Sequence, residues 1–158
     1  MLVVVPFALS SAWALHAAKL ALAQDGVAAR FAFMDREEAY YNLLAALWKL
    51  GESFLIVEHD IVVWPGAVAE LENCPEPWCT LPYYCSVGWI TDGLGCTKFG
   101  AHFLREHPDF LLEPFPSCCQ HTRNFCGLDR TIAHRAMELG LQPHVHRPGV
   151  SNLNERWT

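Results

Sequence analysis

The chain has 158 residues, of which 52% are hydrophobic and 18% charged, and its formal net charge is −6. That length supports one domain with a proper core rather than two ordinary ones, and the composition excludes an unfolded polymer. The acidic balance excludes wrapping around a bare phosphate backbone, because non-specific nucleic-acid affinity rests on Lys and Arg; it leaves room for a local basic patch. No repeat, low-complexity tract or linker interrupts residues 1–158, which read as a single minimal domain.

The apolar N-terminus reaches Ala21-Leu22-Ala23 and ends like a signal-peptide cleavage site. No Lys or Arg precedes it, however, and Pro6, His16 and Lys19 break it up, also too often for a transmembrane span. The better reading is a strand at 2–5, closed by Pro6, followed by a helix. Ser10 or Ser11 caps that helix, which runs to Gln24 and stops at Asp25-Gly26. A second strand is expected at 29–34. Asp35 with Glu38 three residues on has the form of a capping box. The helix it would open carries Tyr40, Tyr41, Leu43, Leu44, Leu47 and Leu50 at helical spacing and ends at Gly51.

Phe54–Val57 is an uninterrupted apolar run and predicts a strand covered on both faces. Pro65 suits the first position of a helix through Leu71. Segments 77–84 and 93–99 read as strands or edge pieces, and 101–106 as a brief helix stopped by Pro108. The stretch 114–127 reads as a loop over the site, Asp129 opens a helix ending at Leu139-Gly140, and 144–147 is a last strand. This order predicts an α/β fold, a three-layer α/β/α sandwich with a mostly parallel sheet.

The chemistry concentrates where the buried strand runs into Glu58-His59-Asp60. On an extended chain, side chains two apart share a side, so Glu58 and Asp60 would face one cleft while His59 acts as a spacer. The carboxyl ends of strands are where open α/β sheets bind ligands. Two hard oxygen donors there suit Mn²⁺ or Mg²⁺ carrying a phosphate. The same acids are equally the kind of polar residue found where a strand leaves a core, and Asp35 and Asp129 also suit helix N-caps. Trp64, Trp78 and Trp89 fit core or rim positions, and Trp89, beside Asp92-Gly93, is the candidate to line a cleft. Arg123 and Arg130 are surface charges or groups that reach a diphosphate.

Seven cysteines, an odd number without a CxxC pair, exclude a complete disulfide framework and suggest reduced thiols in a cytoplasmic protein. Cys118, Cys119, His121 and Cys126 raise the alternative of a small zinc-binding protein, although adjacent cysteines ligate one ion awkwardly.

Three motifs, in this order along nearly the whole chain, resemble those of GT-A glycosyltransferases. Val3-Val4-Val5-Pro6 resembles their first strand, and Leu55 to Val62 with Pro65-Gly66 their "DxD" strand and the following helix. Gly127-Leu128-Asp129-Arg130, with Arg135 and Glu138-Leu139-Gly140, resembles the later acidic motif. The resemblance is closest to the large inverting family (family 2) that includes cellulose-synthase-like and rhamnosyl-transferring enzymes. It implies transfer of a sugar from a nucleoside-diphosphate donor, expected to be UDP-linked, to an acceptor hydroxyl with metal help and inversion. Asp60 would hold the metal, with Glu58 beside it and a late histidine, His146, as a further ligand. Asp129 would be the general base, Asp35 would lie near the nucleobase and Arg130 near the diphosphate, with Trp89 and Asp92 on the acceptor side. An Asp at a helix start is expected to be a stronger acid than usual.

The chain departs from that pattern at Glu58, which replaces an Asp, and at Leu128, which replaces the Glu before the base. Where the family places its late histidine, the chain reads Val150-Ser151-Asn152. A catalytically inactive nucleotide- or carbohydrate-binding module of the same fold is therefore a further alternative. No membrane insertion is expected, which favours a soluble acceptor: a protein, a small glycan or a modified base. So short a chain either keeps a minimal acceptor side or completes it as a homodimer.

Overall fold

The computed structural model describes residues 1–8, 12–36, 38–86, 88–111 and 127–153. Its centre is a six-stranded sheet ordered β2-β1-β3-β8-β5-β9. These strands are β1 Leu2–Phe7, β2 Ala29–Phe33, β3 Phe54–Val57, β5 Trp78–Thr80, β8 Cys96–Phe99 and β9 His144–Val145. β1 pairs in parallel with β2 and β3, and β5 with β9; β8 runs antiparallel between β3 and β5. A two-stranded sheet joins β4 Ile61–Val63 to β10 Val150–Asn152, and a hairpin joins β6 Tyr83–Cys85 to β7 Gly88–Ile90. The expected mostly parallel α/β sandwich is therefore found, with β4, β7 and β10 as small additions.

The period-2 alternation of the strands sorts their side chains into two cores. Val3, Val5, Leu55 and Val57 pack with Ala21 and Leu22 of α1 Ala12–Gln24 and Val68 and Leu71 of α3 Ala67–Asn73. Val4, Phe54, Ile56 and Phe99 face the other way, onto α2 Ala39–Leu50, α4 Ala101–Glu106 and α5 Leu128–Glu138. That second core is ring-rich: Trp48 stacks on Phe110 at 4.7 Å and meets Phe103 edge-on at 5.3 Å. Offset and edge-to-face pairs of this kind add about 0.5–1.5 kcal/mol each beyond their buried area.

Four local expectations are corrected. β1 does not end at Pro6 but runs through it to Phe7. The Leu2 N–H points toward β3, so even-numbered residues of β1 face that side, and β3 pairs no further than Val4. The donor that proline lacks would have had no partner there. Asp35 and Glu38 form no capping box: Glu38 is itself the N-cap of α2, without a side-chain cap bond. α3 begins at Ala67 rather than Pro65, because Gly66 adopts φ +83° and its N–H donates to Asp25 Oδ1 at 2.8 Å. Last, β3 stops at Val57, so Glu58, His59 and Asp60 do not lie on an extended strand. They form a turn closed by the Ile61 N–H on the Glu58 carbonyl at 2.9 Å.

Candidate functional site

Because β1, β2, β3 and β5 are parallel, their carboxyl ends share one edge of the sheet, and the antiparallel β8 starts there. The Glu58 N–H donates to the Gly95 carbonyl just before β8, and the Leu153 N–H after β10 donates to the Asp60 carbonyl. The turn is thus held from both sides by backbone.

Three carboxylates meet at this edge. Asp60 is 7% exposed, and burial raises its pKa above the ordinary carboxylate value. The half-buried Glu58 carboxyl is pushed from 4.5 to about 8, first by burial and then by the charges of Asp60 and Asp129; the nearby Tyr40 hydroxyl acts in the opposite direction. Asp129 is also raised, by burial and by Asp92, against hydrogen bonding from the Arg130 backbone and the charge of Arg130. This reverses the expectation of a stronger acid. Asp129 sits inside the first turn, after the N-cap Gly127, so it is not the cap, and desolvation there outweighs the helix dipole.

Two tyrosines complete the pocket. Tyr40 of α2 lies on the Glu58 side, and burial with the nearby Glu58 charge raises its pKa. Tyr83 of β6 is raised first by burial and then by the charges of Glu58, Asp129 and Asp60. Gly93 and Gly95 make room for it: a Cβ on Gly95 would meet Tyr83 Cε1 at 2.4 Å, and one on Gly93 would meet the hydroxyl at 2.5 Å. The sequence signal was Gly-Leu-Gly after Asp92, two glycines at close approach.

The other expected residues scatter. Asp35 is exposed just beyond β2, with Arg36 Nε 3.9 Å away. Arg130 is exposed beside Asp129. Trp89 is 58% exposed on the hairpin, edge-on to Tyr84 at 5.8 Å. With Trp64, Tyr84 and Asn152 it lines a cleft of about 150 Å³. Asp92 lines a different cleft of about 210 Å³ with Trp78, Thr91 and Met137. A larger cavity of about 380 Å³ lies between α4 and α5 and holds none of these acids. His59 is 8% exposed, and its Nδ1 is buried without a hydrogen bond among the described residues.

His146 does not join Glu58 and Asp60 in a preassembled triad. Its Nδ1 lies 2.7 Å from Glu70 Oε1, and the group of convergent ligand atoms it belongs to contains Cys74 and Cys79. The physical reason is register: β9 pairs with β5, His144 opposite Cys79, which puts His146 on the α3 face. Cys118, Cys119, His121, Arg123 and Cys126, and the loop expected at 114–127 up to residue 126, lie outside the described residues. Cys74, Cys79, Cys85 and Cys96 are free thiols.

No protein-family model matches the chain, and no curated protein matches it in sequence. Solved structures do match. A glycosyltransferase involved in the glycosylation of the major capsid of PBCV-1 aligns over 97% of this chain and 94% of its own, with a TM-score of 0.51 at 8% identity. A197 from STIV aligns over 97% and 81%, with a TM-score of 0.51 at 13% identity. GlyE of Streptococcus pneumoniae TIGR4 aligns over 91% of this chain and 44% of its own, at a TM-score of 0.48 and 10% identity. At such identities the likeness is one of fold: the chain has a glycosyltransferase fold of the GT-A-like α/β kind. Among the described residues no helix is long and apolar enough to cross a membrane.

Proposed function

We propose that the protein is a glycosyltransferase that moves a sugar from a nucleoside-diphosphate donor, UDP-linked by family resemblance, to an acceptor hydroxyl with inversion. The observation that carries this reading is the meeting of Glu58, Asp60 and Asp129 around Tyr83 at the carboxyl edge of the sheet, in a chain with this fold. Like charges in a partly dry pocket raise one another's proton affinity, and a divalent cation relieves that repulsion. The donor set fits Mn²⁺ or Mg²⁺, with Asp60 and Glu58 as the residues that would hold it. When bound, such an ion supplies Lewis-acid stabilisation to the diphosphate leaving group.

The chain's own groups do the rest. Asp129 takes the proton from the acceptor hydroxyl as it attacks the anomeric carbon. Its raised pKa brings it nearer working pH, where a carboxylate is a better base than at its ordinary value. Tyr83, held by Gly93 and Gly95, keeps the acids apart and limits water around them. The exposed rings of Trp64, Tyr84 and Trp89 offer apolar faces for an acceptor sugar. The acceptor is a protein, a glycan or a modified base, and the likeness to a capsid-glycosylating enzyme puts protein first.

The test is thermal stability against UDP, GDP, ADP and CDP, each with and without Mn²⁺. A ligand at a hundredfold excess over its Kd raises stability by about 2.7 kcal/mol. The expected result is a manganese-dependent shift with one nucleotide, lost in Asp60→Ala, followed by turnover of the matching nucleotide sugar. Binding without turnover would make the protein an inactive module of the same fold. No shift with any nucleotide would sink the reading.

A further inference from the structure

A second cluster of donors lies under α3, and the glycosyl-transfer reading does not use it. Cys74, the C-cap of α3, and Cys79, in β5, bring their Sγ atoms to 2.8 Å. An imidazole nitrogen of His146 completes a group whose ligand atoms all lie within 4.8 Å of one another. The site is dry: Cys74 is 9% exposed, Cys79 0%, and the His146 side chain 10%.

The state of the imidazole is what points to a ligand. Nδ1 contacts the Glu70 carboxylate at 2.7 Å, which places a proton on Nδ1 and, in the neutral ring, leaves a lone pair on Nε2. That Nε2 is buried and has no hydrogen-bond partner among the described residues. A buried acceptor with nothing to accept calls for an explanation. Carboxylate on one nitrogen, open lone pair on the other, is the arrangement by which proteins orient a metal-binding histidine.

We infer that Cys74, Cys79 and His146 bind a zinc ion, with Glu70 as the outer carboxylate that orients His146. Two thiolates and an imidazole suit Zn²⁺ and not the oxygen-seeking Mn²⁺ or Mg²⁺. Four residues separate the cysteines, within the usual spacing of a zinc knuckle. With Zn–S bonds of about 2.3 Å, tetrahedral geometry sets the sulfurs about 3.8 Å apart, so binding widens the pair by about 1 Å. Both thiols give up their protons to solvent, and water takes the fourth position. Lys98, 4% exposed, donates its ammonium to the Cys74 carbonyl and offsets the thiolate charge. The ion would tie the end of α3 to β5 and to the segment that feeds β10, whose partner β4 follows Asp60 directly. The ion would thereby brace one wall of the acidic pocket.

The experiment uses the full chain, reduced and stripped of metal. Zinc is expected to bind stoichiometrically and to shield Cys74 and Cys79 from alkylation in wild type, mapped by mass spectrometry. Cobalt in its place is expected to give thiolate charge-transfer absorption. Cys79→Ser is expected to lose both signals, while Cys118→Ser with Cys119→Ser keeps them. Glu70→Gln is expected to weaken zinc affinity about 10–100-fold without lowering stoichiometry at saturation. Because shielding is read on wild type, a misfolded variant leaves the test intact. Unshielded Cys74 and Cys79 at saturating zinc would overturn the inference. So would zinc held only by the residues beyond 111, or a Cys74–Cys79 disulfide in protein isolated without reductant.

Discussion

The acidic pocket and the thiol–imidazole cluster lie against the same sheet but hold their strain differently. Burial raises the pKa values of Glu58, Asp60 and Asp129, and at Glu58 the charges of the other two add to it, to about 8. Cys74 and Cys79 are neutral as thiols, and burial pushes Cys79 up to about 12. They pack among Val68 and Leu71 like small hydrophobes. The first cluster is strained without a cation, while in the second only one imidazole nitrogen lacks a partner. Hard oxygen donors in one cluster and soft sulfur donors in the other would let one chain tell two metals apart. Manganese would act only at the first and with nucleotide, zinc at the second and without it.

The largest expected effects break the acidic side. Asp60→Ala is expected to abolish manganese-dependent nucleotide binding and, with it, turnover. Asp129→Asn is expected to bind donor normally and to lose about 10²–10⁴-fold in kcat, the worth of a positioned general base. Donor binding measured by thermal shift, beside turnover of the nucleotide sugar, separates the two roles. Wild-type turnover in both variants would remove these residues from the chemistry.

The strain itself is the next quantity to measure, in metal-free buffer. The Glu58 pKa is raised on folding, so folding favours its protonated form. Below pH 4.5 both states carry the proton and the stabilisation is fully present. As pH rises toward about 8 the unfolded chain loses the proton first, so stability falls, by an amount on the order of a few kcal/mol. Glu58→Gln is expected to flatten this decline and to be the more stable protein near pH 8. Asp60 and Asp129 act in the same direction from lower pH. Parallel pH–Tm curves for wild type and variant would show that Glu58 is not strained.

Gly95→Ala probes how the pocket is shaped. Its Cβ would stand 2.4 Å from the Tyr83 ring, and overpacking of that kind costs about 1–3 kcal/mol. In Tyr83→Ala the same glycine substitution is expected to cost far less, a non-additivity read directly from a double-mutant cycle. Equal costs in both backgrounds would mean that the glycine serves its own backbone and not Tyr83.

The elements that were legible in the sequence are those whose signal is local. Phe54–Val57 is apolar throughout because both faces are covered, and its bounds are found as expected. Residues 101–106 form the expected helix, α4. The turn at Glu58-His59-Asp60 was misread as strand because its closure depends on the Gly95 carbonyl and on Leu153, far along the chain. β10 and β7 were missed for the same reason: three-residue strands are defined by their partners, not by periodicity. Asp60 and Asp129 stood out by residue type and motif, but Tyr40 did not. On a helix with Tyr41, Leu44 and Leu47 it reads as one more core ring, and only its placement under Glu58 distinguishes it. His146 went to the wrong cluster because sequence order places it near the family's late histidine, whereas strand register carries it to α3.

The smallest expected effect lies at the rim. Trp89 is 58% exposed on the hairpin, so its removal is expected to leave the acidic pocket and the donor as they are. An aromatic face under a sugar contributes about 0.5–1.5 kcal/mol, so Trp89→Ala is expected to raise acceptor KM about 2- to 10-fold with kcat nearly unchanged. Tyr84→Ala, which removes a smaller ring of the same cleft, edge-on to Trp89, is expected to do less. If kcat falls instead, the hairpin orders the acceptor for attack rather than merely holding it. If donor-induced stabilisation falls, the cleft beside Trp64 and Asn152 belongs to the donor, and the acceptor must approach past Asp92.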